Sequence, residues 1–144
     1  MKKLSIALVI ALGLAGFVAD NLGVLQTPVE GGAGGEAQLN SAFQNQQSDL
    51  QIGGSGTVIH ILPDDTRGSQ HQKFLLKLAS GQKLLIAHNI DLAPRIDALR
   101  KGDTVEFFGE YEWNSKGGVI HWTHHDPGGR HQDGWLRHKG VTYQ

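Results

Sequence analysis

The sequence predicts a small all-β domain with one short helix, a five-stranded Greek-key barrel in the order β-β-β-α-β-β. Three observations lead there. Apolar runs rich in β-branched and aromatic residues recur after Gly56; clusters of Gly, Asp, Asn and Pro separate them; and one helix-like stretch falls between the third run and the fourth.

Taken in order, "GTVIHIL" (56–62) is a β-branched run stopped by the turn-rich "PDDTRGS". "HQKFLLKLAS" and "QKLLIAHNI" follow, joined through Ser80-Gly81 as a hairpin, with Phe74, Leu76 and Leu78 alternating with Leu75 and Lys77. "DLAPRIDALRKGD" (91–103) has the marks of a helix: Asp91 to cap it, Pro94 in the first turn, Ile96 and Leu99 as an apolar stripe, and Gly102 to close it. "TVEFFGEYEW" alternates cleanly. Val105, Phe107, Gly109, Tyr111 and Trp113 share one face; Thr104, Glu106, Phe108, Glu110 and Glu112 share the other. "NSKGG" is a turn, and "VIHWTHH" (119–125) reads as the last strand, ended by Asp126-Pro127-Gly128-Gly129. Three strands, a helix and two strands is the order of the OB-fold. The phrase "LRKGDTVEFFGEYE" also resembles the way many OB-folds enter their fourth strand.

The 144 residues leave room for one such domain and a targeting segment. Lys2 and Lys3 precede an uncharged run from Leu4 to Ala19 that Asp20 ends, the layout of a secretory signal. Cleavage after Ala19 would place bulky Phe17 where a small residue is preferred, and apolar residues resume at Leu22, Val24 and Leu25. Residues 1–25 therefore read as a signal peptide or an N-terminal membrane anchor, and the rest as periplasmic or secreted. Residues 26–55, rich in Gly and Gln, read as a flexible linker, with a short helix available to "EAQLNSAFQNQQ" through Leu39 and Phe43. Residues 56–144 are the barrel and a His-rich C-terminal segment. With no cysteine, a packed core rather than disulfides must stabilise the domain. The charge balance, 13 Lys and Arg against 14 Asp and Glu, argues against a generic polyanion binder.

"HWTHHDP" (121–127) following "GEYEW" (109–113), in a short chain with an OB-like body, resembles a family of small exported bacterial proteins of unknown function marked by its HWTH run. The likeness covers roughly Gly56 to Tyr143. It implies a bacterial source and a barrel, and it carries no activity with it.

Four of the eight histidines fall within residues 121–131: His121, His124, His125 and His131. On a regular strand His121, Thr123 and His125 would face outward, with Ile120 and Trp122 in the core and His124 near the barrel mouth. Zinc or another divalent metal is the cofactor these residues would accept. The usual His-x-His pair is broken by Thr123, however, so further ligands would have to come from His131, His138, His60 or His71. A catalytic reading uses His121 and His125 as acid and base and Arg130 to hold a phosphate or carboxylate. A binding reading adds Thr123, His124, Asp126, His131, Trp135 and Arg137, with Trp135 either stacking on a ligand ring or plugging the barrel's open end.

Two functions follow. One is an envelope binding module for a small-molecule, saccharide or protein ligand, centred on the His/Arg-rich segment. The other is a secreted hydrolase of nuclease or phosphodiesterase type that uses the histidines, with or without a metal. Convergence of His121, His125, His131 and Arg130 in one cleft would favour the second. Glu106, Glu110 and Glu112 disfavour nucleic acid on the fourth strand, leaving only the basic C-terminal segment for it; membrane contact would be confined to residues 4–25. A pH-sensing role for the histidines is a third and blander option.

Overall fold

A computed structural model describes residues 33–144, so the targeting reading of residues 1–25 lies outside the described residues. Helix α1 (Ala33–Gln44) leads into β1 (Leu50–Ile61), β2 (His71–Lys77), β3 (Lys83–Asn89), β4 (Thr104–Glu112) and β5 (Val119–His121). A C-terminal hairpin, β6 (Trp135–His138) and β7 (Val141–Tyr143), completes the chain. The strands run β1-β2-β3-β5-β4, and β4 pairs back onto β1 to close a five-stranded barrel. β3 and β5 are parallel; the other neighbours are antiparallel. The expected OB-fold-like barrel is therefore present. Among the described residues no helix is long and apolar enough to cross a membrane.

Alternation explains the core. Ile52, Val58, Phe74, Leu76, Leu84, Ile86, Val105, Phe107, Tyr111 and Ile120 point inward and are fully buried. The turn after β4 is tied to this core, because the Tyr111 hydroxyl donates to the carbonyl of Gly117 at 2.9 Å. The neighbouring Gly118 has φ +110°, and a Cβ there would come within 2.2 Å of the Tyr111 ring. Only glycine fits both its backbone and that approach.

The structure departs from the sequence reading in three places. First, residues 91–103 form turns, not a helix. The main-chain groups a helix would use have partners elsewhere. The buried Gln72 side chain donates to the Ile96 carbonyl and accepts its N–H, both at 2.9 Å, and the His88 ring bonds the Pro94 carbonyl at 2.9 Å. Held in this way, Ala93, Ile96 and Leu99 fill the barrel end formed by the start of β2 and the end of β3.

Second, much of the expected linker belongs to the domain. The single helix, α1, lies within it, and β1 begins at Leu50 rather than near Gly56. Leu39 and Ala42 are buried in the barrel core. Phe43 stacks on Trp113 with ring centroids 6.5 Å apart, and the Trp113 indole N–H donates to the Phe43 carbonyl at 3.0 Å. The Ser80 N–H donates to the Glu36 carboxylate, so α1 reaches from the β2–β3 turn to the end of β4. A segment with few apolar residues can order when a distant strand supplies their partners.

Third, the last barrel strand is short. Trp122 takes φ +56°, a conformation uncommon for a bulky residue, and β5 ends at His121. The tail then returns as β6 and β7. Strand β6 pairs with β4 from Val105↔His138 to Phe108↔Trp135, alongside β5's own pairing at residues 110–112. Trp135 therefore lies outside the barrel and does not plug it; Leu136 and His138 are the inward residues of the hairpin.

If α1 is part of the core, Leu39→Ala should cost about 2–5 kcal/mol by urea unfolding, as for other fully buried leucines. Leu92→Ala, on a side chain 45% exposed, should stay within about 0.5 kcal/mol of wild type.

Candidate functional site

The outward row of β4 is Glu106, Phe108, Glu110 and Glu112, as alternation predicted. One edge of β4 is filled by β1, which sets Ser55, Gly53 and Gln51 opposite the first three. β6 and β5 share the other edge and set Arg137 opposite Glu106, Trp135 opposite Phe108 and His121 opposite Glu110. The result is a continuous band of side chains. Arg137 binds Glu106 at 3.1 Å and lies 4.5 Å over the Trp135 ring. Trp135 stacks on Phe108 with centroids 6.2 Å apart. Beyond them, His121 Nε2 lies 3.6 Å from Glu110 and 3.5 Å from Glu112.

The chain between β5 and β6, residues 122–134, arches out from this edge and is pinched at its neck, where the Gly134 N–H donates to the His124 carbonyl at 2.9 Å. Asp126 organises the arch, accepting the N–H groups of Gly128, Arg130 and His131 at 2.9, 2.7 and 2.7 Å. Those bonds, led by His131's, hold its carboxyl below the usual carboxylate range. Shaped in this way, the arch lays His131 back over the band. His131 Nδ1 donates to the Gln132 carbonyl at 2.7 Å, Nε2 sits 3.1 Å from the Glu110 carboxylate, and the ring lies 4.0 Å from that of Trp122.

Four residues expected at the site, His121, His131, Trp135 and Arg137, thus lie along one face with Glu110 and Phe108. The others do not. His125 pairs with Asp133 at 2.8 Å on the exposed arch, and Arg130 is exposed beyond the turn that Asp126 makes. The trio of His121, His125 and Arg130 is not drawn into one cleft. Thr123 and His124 are buried, contrary to the outward placement of Thr123, because the turn at Trp122 breaks the two-residue alternation. Of the other histidines considered as ligands, His138 is buried against Asp103 at 2.7 Å and His71 bonds the Ser69 carbonyl, so neither joins the band.

Beneath the arch, His88 is fully buried. Its Nε2 donates to the Pro94 carbonyl, so Nδ1 accepts the Thr123 hydroxyl at 2.7 Å. Burial pushes this imidazole down to about 4, and it is neutral in the folded protein. His88 therefore joins the loop before β4 to the first residues after β5 and supports the arch from below.

The residues that sequence reasoning missed here are Glu110, Glu112 and Phe108. Their shared face was legible, but they stood only as a repelling row until the β4–β5 register put His121 among them. The Glu112 carboxyl is pushed above its usual range by burial and by the hydrogen-bonded Asp49 carboxyl beside it. Among the described residues, Glu110, Glu112 and His121 each offer one ligand atom, all within 4.8 Å of one another, a set that could hold a metal.

The model of one protein family matches residues 22–144, nearly the whole chain. The chain belongs to the family described as "Protein of unknown function (DUF3465)". No curated protein matches the chain. The DUF3465 match begins at residue 22 and so takes in α1 and all of β1, a wider span than the Gly56–Tyr143 likeness and in keeping with their place in the core.

The buried His88 makes this DUF3465 domain acid-sensitive in a defined window. The unfolded chain takes up a proton below about 6.5, which folded His88 refuses until about 4. Stability should be full above pH 6.5 and fall by about 3 kcal/mol between pH 6.5 and 4. Urea titrations across that range should show the slope, and His88→Gln should flatten it.

Proposed function

We propose that this DUF3465 protein is an exported cell-envelope binding module. Its ligand would lie on the outer face of β4, across the Phe108–Trp135 pair and the cluster of Glu110, Glu112, His121 and His131. The observation that carries this reading is convergence. Three successive stretches of the chain, β4, β5 and the 122–134 arch, bring two carboxylates and two imidazoles together, and β6 sets a stacked aromatic pair beside them. The barrel interior is filled, so binding belongs outside. The Lys2-Lys3 start and the apolar run to Ala19 support the export part of this reading.

The face suits a cation or a polyhydroxylated ligand. Carboxylates accept from hydroxyl or ammonium groups, and a sugar ring stacks on an aromatic pair. Nucleic acid fits poorly, since the basic residue on this face, Arg137, is already paired with Glu106. Binding is preferred to hydrolysis because His125 and Arg130, needed to complete a phosphodiesterase site, lie apart on the exposed arch.

One observation favours a second face. Leu62, Leu75 and Leu85 line a shallow hollow of about 250 Å³ with Lys83 and Lys116, on the strands and loops that OB-folds commonly use for ligands. That face would prefer an anionic ligand.

Amide chemical-shift mapping of the full chain separates the two. A muropeptide, a neutral oligosaccharide and a polyamine would each be titrated in. Shifts confined to Phe108, Glu110, His121, His131 and Trp135, lost with Trp135→Ala or Glu110→Gln, are expected. Shifts confined to Lys73, Leu75, Lys83 and Leu85 would sink the β4 reading in favour of the other face.

A further inference from the structure

We propose that Glu110, Glu112 and His121 bind one divalent first-row transition-metal ion, with His131 as the positioning residue that fixes the Glu110 carboxylate. The inference rests on the β4 face being the binding face and names the class of its ligand.

Donor geometry is the first support. Two ligands about 2.0–2.1 Å from a tetrahedral ion lie about 3.3 Å from each other. His121 Nε2 is 3.6 Å from Glu110 Oε2 and 3.5 Å from Glu112 Oε1, two sides of such a triangle, and the three donor atoms all lie within 4.8 Å of one another. These donors stand on paired strands, with Glu110 directly opposite His121 in the register, and such placement holds ligands more rigidly than loops do.

Charge is the second. Glu110, at 18% side-chain exposure, shares the patch with Glu112, and Asp49 adjoins Glu112. Among the described residues no Lys or Arg pairs with Glu110 or Glu112: Arg137 is taken by Glu106, Arg95 by Asp64 and Asp97, and Lys73 by Asp65. His131, donating through both ring nitrogens, offsets part of that charge, and the His121 imidazole, a metal ligand when neutral, turns Nε2 toward both carboxylates.

The surroundings are the third. His131 spends Nδ1 on the Gln132 carbonyl and turns Nε2 to Glu110, the arrangement by which outer residues orient metal-binding carboxylates. Asp126 holds the His131 backbone, and the Trp122 ring packs on the imidazole.

Ligand chemistry sets the metal class. Two carboxylates and an imidazole, with no thiol anywhere in the chain, suit zinc, manganese or ferrous iron rather than copper(I). The imidazole disfavours calcium and magnesium, which prefer all-oxygen sites. Three protein ligands would leave a further position for a ligand oxygen or water to complete the shell.

The test is calorimetric titration of zinc chloride into the chelator-stripped full chain, repeated by visible spectroscopy with cobalt(II). One-to-one binding with a tetrahedral or five-coordinate cobalt spectrum is expected. Glu110→Gln and His121→Ala should each weaken it at least about 100-fold, and His131→Gln by about 10-fold or more. The variant His125→Ala, on the exposed arch, should bind as wild type does. The Glu→Gln change preserves shape, and near-UV circular dichroism would verify that each variant is folded. No saturable binding, or binding that survives Glu110→Gln and His121→Ala but is lost in the arch variant, would overturn the proposal. If zinc fails while a muropeptide or polyamine still shifts the β4 face, the metal inference falls and the binding-module reading stands. If zinc binds and no organic ligand does, the metal inference stands alone.

Discussion

Everything distinctive in this molecule depends on how one edge of β4 is filled. An unpaired strand edge exposes a row of N–H and C=O groups that must find partners. β1 covers one edge of β4 along eight residue pairs. On the other edge the three-residue β5 covers only the end, and the rest is left to β6. β5 and β6 run in the same direction along that edge, with His121 opposite Glu110 and Trp135 opposite Phe108, so residues 122–134 leave the strand line and return to it almost where they left. That arch carries His131 back onto Glu110. The same arrangement places Trp135 beside Phe108, because β6 arrives in register with the outward row.

The interior is closed to ligands for related reasons. α1 seals one end of the barrel through Leu39 and Ala42, and residues 93–99 seal the other. The second plug is irregular, yet its polar groups are not left without partners. Gln72 takes both main-chain groups of Ile96, His88 takes the Pro94 carbonyl, and His138 takes Asp103. Buried polar groups satisfied in this way give one well-defined conformation. They also make the barrel end a rigid base for the arch, since Thr123 is bonded to His88 from above.

The two broad faces of the barrel are therefore chemically opposed. The β2–β3 side carries Lys73, Lys77 and Lys83 around Leu75 and Leu85, whereas the β4 side carries acids, imidazoles and an aromatic pair. Nearly balanced total charge conceals this separation. A chain with a formal charge of −1 can hold a local patch that attracts cations and, behind it, one that attracts anions.

Much of this was legible in the chain. The alternation in "TVEFFGEYEW" is sharp enough to assign both faces of β4, and the spacing of strands and turns is enough for the barrel. The helix was not. "DLAPRIDALRKGD" has helical spacing, but Gln72 on β2 and His88 at the end of β3 take its backbone groups; "EAQLNSAFQNQQ" has few apolar residues, but Trp113 and the barrel end give them something to bury against. The site was half legible. A run of histidines is visible in any listing, yet which of them meet depends on where β5 stops, and that is set by one residue, Trp122, adopting a left-handed conformation that no local pattern announces. Local periodicity and residue type are enough for the fold class, for the inward and outward rows of each long strand, and for the chemistry available to the C-terminal segment. That His121 and His131 meet Glu110 while His125 and Arg130 stay apart is legible only in the fold, because it depends on strand register and on β5 and β6 sharing one edge of β4.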